Sequence, residues 1–387
     1  MTPRPEPSRQ VPQRSRSRSE STWFGTRRQR QLLDAALIPL LAILSGLVLA
    51  SIFVLLAKNS PLVAYRELFR AGFGCTALAR CGFLTTLERA TPLIFTGLSA
   101  VVAFRSGMFS IGQEGQFVLG AMVAAWLGYA IPLPPVVHPA LILVLAMAVG
   151  AAYAYVPAVL KVRLNVNEII TTIIFNSIAI LFMTYLVNFP LRATRGSTAV
   201  TRPIDATAQL PEFLPGSHWG VGFVLAILAV VLVWIYLWRS VTGYEQRMAG
   251  QAPGFARYGG IRGGRAAIRG MLVSGALAGA AGAIEVLGVH HQVLQGFSVG
   301  LGFDGVLVAI LGQVHPVGVL LVSVLFAGIR LGAQIGLQIT TNIPRELGGG
   351  ILALIILFVS ARSLYTDLLA WVARVTGRQR APGKEAA

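Results

Sequence analysis

Charge is scarce in this chain. Charged residues make up 12% of its 387 positions, against about 25% in an ordinary soluble domain. Acids are scarcer still, with 15 Asp and Glu against 32 Lys and Arg. That shortage excludes a soluble fold with a hydrated, charged shell. Cysteine is nearly missing as well. Cys75 and Cys81 are the two present, too few for a thiolate zinc cluster, and His290, His291 and His315 lack the spacing of metal ligands, so no metal site is expected. No Gly-x-x-x-x-Gly-Lys-Ser/Thr loop occurs. The one Gly-Lys, Gly383-Lys384, is followed by Glu385, so the chain does not cradle ATP phosphates by that device.

Long apolar runs are what the chain has instead. Hydrophobic residues reach 55%, and a bilayer span needs about 20 mostly apolar residues. Residues 35–57 form one such run. Residues 115–160 carry no Asp, Glu, Lys or Arg and suffice for two spans, divided at Pro132-Leu133-Pro134-Pro135 because proline disfavours helix continuation. Further runs cover 169–191, 219–238, 270–290 and 305–329, and residues 85–104 form a span interrupted by Glu88 and Arg89 near its start. Two shorter runs, 331–341 and 347–361, follow. The expected fold is an all-α polytopic membrane protein of about ten transmembrane helices. Run lengths beyond a strand, without alternation, exclude a barrel.

The basic excess is placed rather than spread. With the N-terminus inside, 23 of the 32 Lys and Arg fall on the cytoplasmic side. The positive-inside rule then sets the orientation, with both termini cytoplasmic in a bacterial inner membrane. Residues 1–34, with Arg14-Ser15-Arg16-Ser17-Arg18-Ser19, form a basic tail that cannot bury a core and brushes anionic lipid. A second basic tail spans 363–387. No aromatic residues interleave the arginine-serine tract, so nucleic acid is not an expected partner. Cys75 and Cys81 lie in the first outer loop. That compartment permits a disulfide, and the spacing alone does not establish one.

Polar groups inside spans are costly and carry a functional expectation by default. Gly112-Gln113-Glu114-Gly115 and Gly302-Phe303-Asp304-Gly305 each set a carboxylate between glycines at the mouth of an apolar run. A carboxylate there meets the positive end of the helix dipole. The two motifs thread in opposite directions, which points to two inverted repeats of about five spans each. The plainer alternative is that each acid caps its own helix. Glu285 follows a run dense in Gly and Ala, where helices pack closely. Asn176 lies one to two turns into its span, beyond the helix start at Asn167-Glu168. Glu114, Gln116, Asn176, Glu285 and Asp304 are the candidate lining of a solute path.

One inner loop is unusually organised. It runs over residues 243–261 as Gly-Tyr-Glu-Gln-Arg-Met-Ala-Gly-Gln-Ala-Pro-Gly-Phe-Ala-Arg-Tyr-Gly-Gly-Ile. It reads as a short helical stretch, a Pro253-Gly254 break, then an aromatic and small-residue surface suited to a cleft on a partner. A basic loop resting on headgroups is the alternative.

This segment resembles the cytoplasmic coupling segment of permease subunits in bacterial ATP-binding cassette importers, in the branch serving simple sugars and nucleosides. Phe109-Ser110-Ile111-Gly112-Gln113-Glu114-Gly115-Gln116, Asn167-Glu168-Ile169-Ile170-Thr171-Thr172 and Gly302-Phe303-Asp304-Gly305-Val306-Leu307-Val308-Ala309-Ile310-Leu311-Gly312 agree with it. The resemblance covers residues 35–362, the expected permease domain. Phe303-Asp304-Gly305, Leu311-Gly312 and His315-Pro316 are closer to nucleoside permeases than to ribose permeases. Phe175-Asn176-Ser177 and Gly254-Phe255 depart from the family pattern and leave the solute less defined than the architecture.

The resemblance implies a non-enzymatic permease that moves nucleosides inward. It would work with a cytoplasmic ATPase that holds ATP and Mg, a second permease subunit, identical or paralogous, and an extracytoplasmic binding protein or lipoprotein. No cofactor is expected in this chain. Gly243, Tyr244, Glu245, Arg247, Gly250, Ala256, Arg257 and Tyr258 would couple to the ATPase. A simple-sugar permease of the ribose type is the nearest alternative. An ion-coupled secondary transporter is the other, suited to broken helices with embedded acids.

Overall fold

The computed structural model describes residues 60–75, 81–193, 199–214, 217–298 and 300–336, with isolated positions between 45 and 55 and at 350 and 353. Two units divide the chain: residues 1–49 with 354–387, and residues 50–353. The architecture below is that of the second. Both basic tails, most of the expected span at 35–57 and nearly all of that at 347–361 lie outside the described residues. The run at 331–341 is described only as far as 336.

Eleven helices are described in this unit. They are α1 (Pro61–Phe73), α2 (Gly82–Arg105), α3 (Gln113–Ala130), α4 (Val137–Leu164), α5 (Glu168–Asn188) and α6 (Val221–Arg239). Then come α7 (Val241–Gln251), α8 (Pro253–Tyr258), α9 (Gly263–Glu285), α10 (Leu301–Leu311) and α11 (Pro316–Leu331). The last turn of α9, Val286–His290, and that after α11, Gly332–Gly336, are π-helical. A hairpin of β1 (Glu212–Leu214) and β2 (Ser217–Gly220) precedes α6. Among the described residues, six helices are long and apolar enough to cross a membrane. The chain is thus a helical, polytopic membrane protein.

Most breaks fall where backbone chemistry demands them. The Pro132–Pro135 cluster separates α3 from α4, and Asn165, in the left-handed region at φ 52°, ends α4. The Asn167 side chain accepts from the Ile169 amide at 2.9 Å to start α5, an ordinary N-cap. Cys75 and Cys81 are disulfide-bonded between α1 and α2. The amphipathic α1 lies inside what the sequence presents only as an outer loop.

One expected span is corrected. The run at 305–329 is two helices, α10 and α11. Gln313 and Val314 both adopt positive φ, at 57° and 51°, and Pro316 opens α11. Two consecutive left-handed residues cannot continue a right-handed helix. The Arg105 guanidinium donates to the carbonyl of Val314 at 3.0 Å, and His315 Nδ1 accepts from the Val317 amide at 3.3 Å. Burial and the Arg105 charge push the His315 pKa below its usual value, which keeps the ring neutral and able to accept. The break therefore satisfies its own exposed backbone groups. Its consequence is that Arg330, assigned by sequence to the cytoplasmic end, lies against Asp304.

The bundle carries small and polar residues inside and large apolar ones outside. Within their apolar windows α2 and α9 are 78% buried, whereas α5 and α6 are 28% buried. Ile170, Ile174, Leu181 and Phe182 of α5 face outward. At the centre, α9 uses its glycines for backbone contact. A Cβ at Gly275 would strike the Gly150 carbonyl oxygen and lie 2.6 Å from the Ala154 methyl on α4. One at Gly282 would strike the Phe117 carbonyl oxygen and lie 2.8 Å from the Ala121 nitrogen on α3. Ser99 of α2 and Ser274 of α9 share a hydrogen bond at 2.9 Å. Close backbone approach of this kind holds helices together in lipid, where apolar burial between helices gains little.

Gly275→Leu should therefore separate α4 from α9. Overpacking costs about 1–3 kcal/mol or more, so the purified variant should unfold at a lower temperature in detergent than the parent, while Leu181→Ala on the outer face of α5 should leave that temperature nearly unchanged.

Candidate functional site

The N-terminal ends of α3 and α10 meet inside the bundle. A Cβ on Gly302 would overlap the backbone of Glu114. From that meeting point the helices diverge. α3 runs toward the end where Leu127 and His138 are bonded through the His138 ring. α10 runs toward the end that holds Arg105, bonded to Val314 just past its last turn. The opposite directions read from the two glycine-flanked acids are those observed.

Neither acid caps its own helix. The Glu114 carboxylate, 2% exposed, accepts from the Gly302 amide of α10 at 2.7 Å and from the Ser298 hydroxyl. The start of α3 is capped from α5 instead. Asn176 Oδ1 accepts from the Gly115 amide at 2.8 Å, and Asn176 Nδ2 donates to the Ile111 carbonyl at 2.7 Å. Thr172 Oγ1 accepts from the Ile111 amide at 3.3 Å. Helix ends carry orphan amides, and in a dry interior only protein groups can meet them. A chain of caps therefore runs from α5 to α3 to α10.

Asn176 thus spends its polar atoms on backbone, and Glu114 divides its oxygens between the Gly302 amide and the Ser298 hydroxyl. Gln116 is buried beside them, and its Oε1 has no hydrogen-bond partner among the described residues. Asp304 lies in the first turn of α10 and pairs with Arg330 of α11.

Glu285 is elsewhere. It lines a cavity of about 330 Å³ together with Glu88, Arg89, His290, Phe297 and Arg330. Such a volume lies within the ~300–1,000 Å³ of small-molecule sites. Arg89 donates to Gln334 Oε1 at 3.0 Å, and His290 Nδ1 lies 3.5 Å from Glu285 Oε1. Leu301, the first residue of α10, forms part of the wall. The Glu114 knot, binding Ser298 and Gly302, therefore sits directly behind the cavity floor. Of the five candidate path residues, one lines the cavity, one pairs with a cavity arginine, and three form or adjoin the supporting caps.

Glu88, Arg89 and Arg330 were missed as site residues. Glu88 and Arg89 were visible as two charges interrupting a span. Arg330 was hidden by the unrecognised break at 312–315.

The loop at the opposite end forms α7 and α8. Gly243, Gly250 and Ala256 face inward. A Cβ on Gly250 would lie 2.6 Å from the Gly107 nitrogen and the Arg105 carbonyl oxygen, and Ala256 is 2% exposed. Glu245 pairs with Arg269 of α9 at 2.8 Å. Gln246 donates to the Tyr236 hydroxyl at 2.6 Å. The Arg247 guanidinium lies 5.5 Å from the Trp238 ring centre, and that ring also meets Arg105 at 5.4 Å and His315 at 4.9 Å. Facing outward are Tyr244, Arg257, Tyr258 and Phe255, with Tyr258 96% and Phe255 65% exposed. Phe255 belongs to the aromatic surface read from the sequence, although it was not among the expected coupling residues. Two bare aromatic side chains therefore stand at the front of this loop.

The sequence matches the family described as "Branched-chain amino acid transport system / permease component" over residues 82–360. It is 34% identical to the guanosine ABC transporter permease protein NupP of Bacillus subtilis, over 85% of this chain and 94% of that one. It is 31% identical to the nucleoside ABC transporter permease protein NupB of Lactococcus lactis subsp. cremoris, over 86% and 93%. The glucose ABC transporter permease protein TsgB13 of Haloferax volcanii is 29% identical, over 83% and 86%. No solved structure matches the chain.

Removing the Glu114 carboxylate should strand the Gly302 amide and the Ser298 hydroxyl. An unsatisfied buried partner costs about 1–3 kcal/mol. Glu114→Ala should lower the unfolding temperature in detergent more than Glu114→Gln, whose amide oxygen still accepts from Gly302. A cysteine placed at Ser298 should react faster with maleimide in the Glu114→Ala background.

Proposed function

The chain belongs to this permease-component family of ABC transport systems, and from that premise we propose that it is one of two permease subunits that together carry nucleosides into the cell. The second subunit is a copy of this chain or a paralogue of it. The likeness to guanosine and nucleoside permeases, over nearly the whole of both chains, supports the solute class. The basic loops support an orientation with α7, α8 and both termini in the cytoplasm of a bacterial inner membrane. The cavity at Glu285 then opens toward the outside, where a solute-binding protein or lipoprotein would deliver its cargo.

Energy enters from a separate cytoplasmic ATPase that holds ATP and Mg. The observation that carries this reading is the bracing of α7. The exposed aromatic face of α8 continues into α7, and α7 contacts groups that lead to both ends of α10. One route runs through Arg247, Trp238 and His315 to the C-terminal end of α10. The other runs from Gly250 to Gly107, and along seven residues to Glu114 and the N-terminal end. A push on Phe255 and Tyr258 would reach the cavity floor by either route. A carrier driven by an ion gradient has no use for such a surface.

Gly243, Gly250 and Ala256 shape this surface from beneath, while Tyr244, Arg257, Tyr258 and Phe255 make it. Truncating a central aromatic anchor costs about 2 kcal/mol or more of binding. Phe255→Asp with Tyr258→Asp should abolish co-purification of the ATPase and reduce radiolabelled guanosine uptake at least tenfold, with an unchanged unfolding temperature. Uptake that survives ATPase loss and collapses with an ionophore would identify a secondary transporter. Uptake of ribose but not guanosine would identify a sugar permease.

A further inference from the structure

Six arginines stand among residues 239–269 against one acid, Glu245, and Arg269 already pairs with that acid at 2.8 Å. Two of the other arginines converge. Arg257 of α8 and Arg262, just before α9, line one open groove of about 430 Å³ together with Pro253, Gly260, Ile261 and Gly263. Both arginines are exposed, and among the described residues neither has an ion-pair partner. The glycines along this loop serve different ends. Gly243, Gly250 and Gly264 sit where a Cβ would strike a neighbour, and Gly260 takes a positive φ of 75°. Gly263 has neither reason: its φ is not positive, and a Cβ built on it meets no described atom within 4 Å. Glycine in a helix is less stable than alanine, and nothing packed inside the bundle gains from it here. The space it leaves open belongs to the groove.

We infer that this groove receives an acidic side chain projecting from the ATPase, with its carboxylate between Arg257 and Arg262 and its apolar stem on Pro253 and Ile261. The inference rests on the ATPase reading given above and adds the chemistry of the contact. A guanidinium offers forked donors that match a carboxylate. Gly263 opens α9, whose N-cap Arg262 supplies no side-chain cap and whose first turn holds no acid. A carboxylate entering the groove would therefore also meet the positive end of a 23-residue helix. The groove continues the face of Phe255 and Tyr258, because Arg257 stands between them in the sequence of α8 and belongs to the groove wall. Bare rings, groove and basic rim thus form one surface, and its complement is an acidic projection. Such charge pairs steer association and fix register as well as adding affinity.

Binding of the purified ATPase to the full-length permease in lipid nanodiscs tests this. Arg262→Glu and Gly263→Leu should each weaken the ATPase about tenfold or more, the first by repelling the carboxylate and the second by filling the groove. Arg265→Glu, the same charge change on an arginine outside the groove lining, should weaken it much less. Gly263→Leu should unfold in detergent at a temperature no lower than the parent's, which separates lost docking from misfolding. Arg262→Lys places an amine at the rim. A carbodiimide should then join that amine to the ATPase through an amide, one carboxylate oxygen leaving in the urea that forms, and peptide mass spectrometry should find an Asp or Glu at the ATPase end. Equal affinities for parent, Arg262→Glu and Gly263→Leu, while Phe255→Asp with Tyr258→Asp still abolishes binding, would overturn the groove and leave the ATPase reading intact. Weakening by Arg262→Glu that occurs in phosphatidylglycerol discs and vanishes in phosphatidylcholine discs would assign the groove to a lipid headgroup and also overturn it. A parent permease that binds no ATPase would overturn both readings.

Discussion

The structure turns on one buried carboxylate. Glu114 sits where the starts of α3 and α10 converge, and it accepts from Gly302 and Ser298. Both helix ends present the positive pole of their dipoles there. A helix that begins inside a bilayer leaves amides that water cannot reach. Asn176 resolves this for α3 and Glu114 for α10. The half-length helix α10, of 11 residues, can exist in lipid only because of these caps. Its first residue is also part of the cavity wall, so the cap determines where the floor lies.

The cavity and the loop of α7 and α8 lie at opposite ends of the bundle, with α10 between them. Its start is held by Glu114 and its far end by the cluster of Trp238, Arg105 and His315. The helices packed on it are α2, α3 and α11, and behind them α9 meets α3 and α4 through glycine at backbone distance and α2 through Ser274. A frame packed this closely moves as a body rather than bending. The short α10 is bounded at both ends by polar contacts and not by continuous helix.

Much of this was legible beforehand. The spans at 85–104, 115–160, 169–191, 219–238 and 270–290 announce themselves because lipid imposes length and apolarity on each segment separately. The Pro132–Pro135 division and the α7–α8 loop follow from local backbone rules in the same way. The break at 312–315 did not show, because His315-Pro316 interrupts a run whose mean apolarity stays high, and the left-handed residues Gln313 and Val314 carry no glycine signature. The candidate path residues stand out in the sequence as unusual polar groups. Their division into caps, an ion pair and a cavity wall was not legible, since each role depends on a partner far along the chain: Glu114 with Gly302, Asn176 with Gly115, Asp304 with Arg330.

What the sequence determined by itself was the class of fold, the resemblance to importer permeases and the organised loop of α7 and α8, because each rests on residues close together in the chain. What only the tertiary structure decided was which acid lines a cavity and which holds backbone, and which loop residues are exposed and which face the bundle. Gly250 and Ala256, expected to couple, lie beneath the loop surface, and Phe255, not among the expected coupling residues, stands at its front. The reason is physical: apolarity and helix signals are local properties, whereas satisfying a buried amide or exposing a ring depends on what another helix brings to the same point.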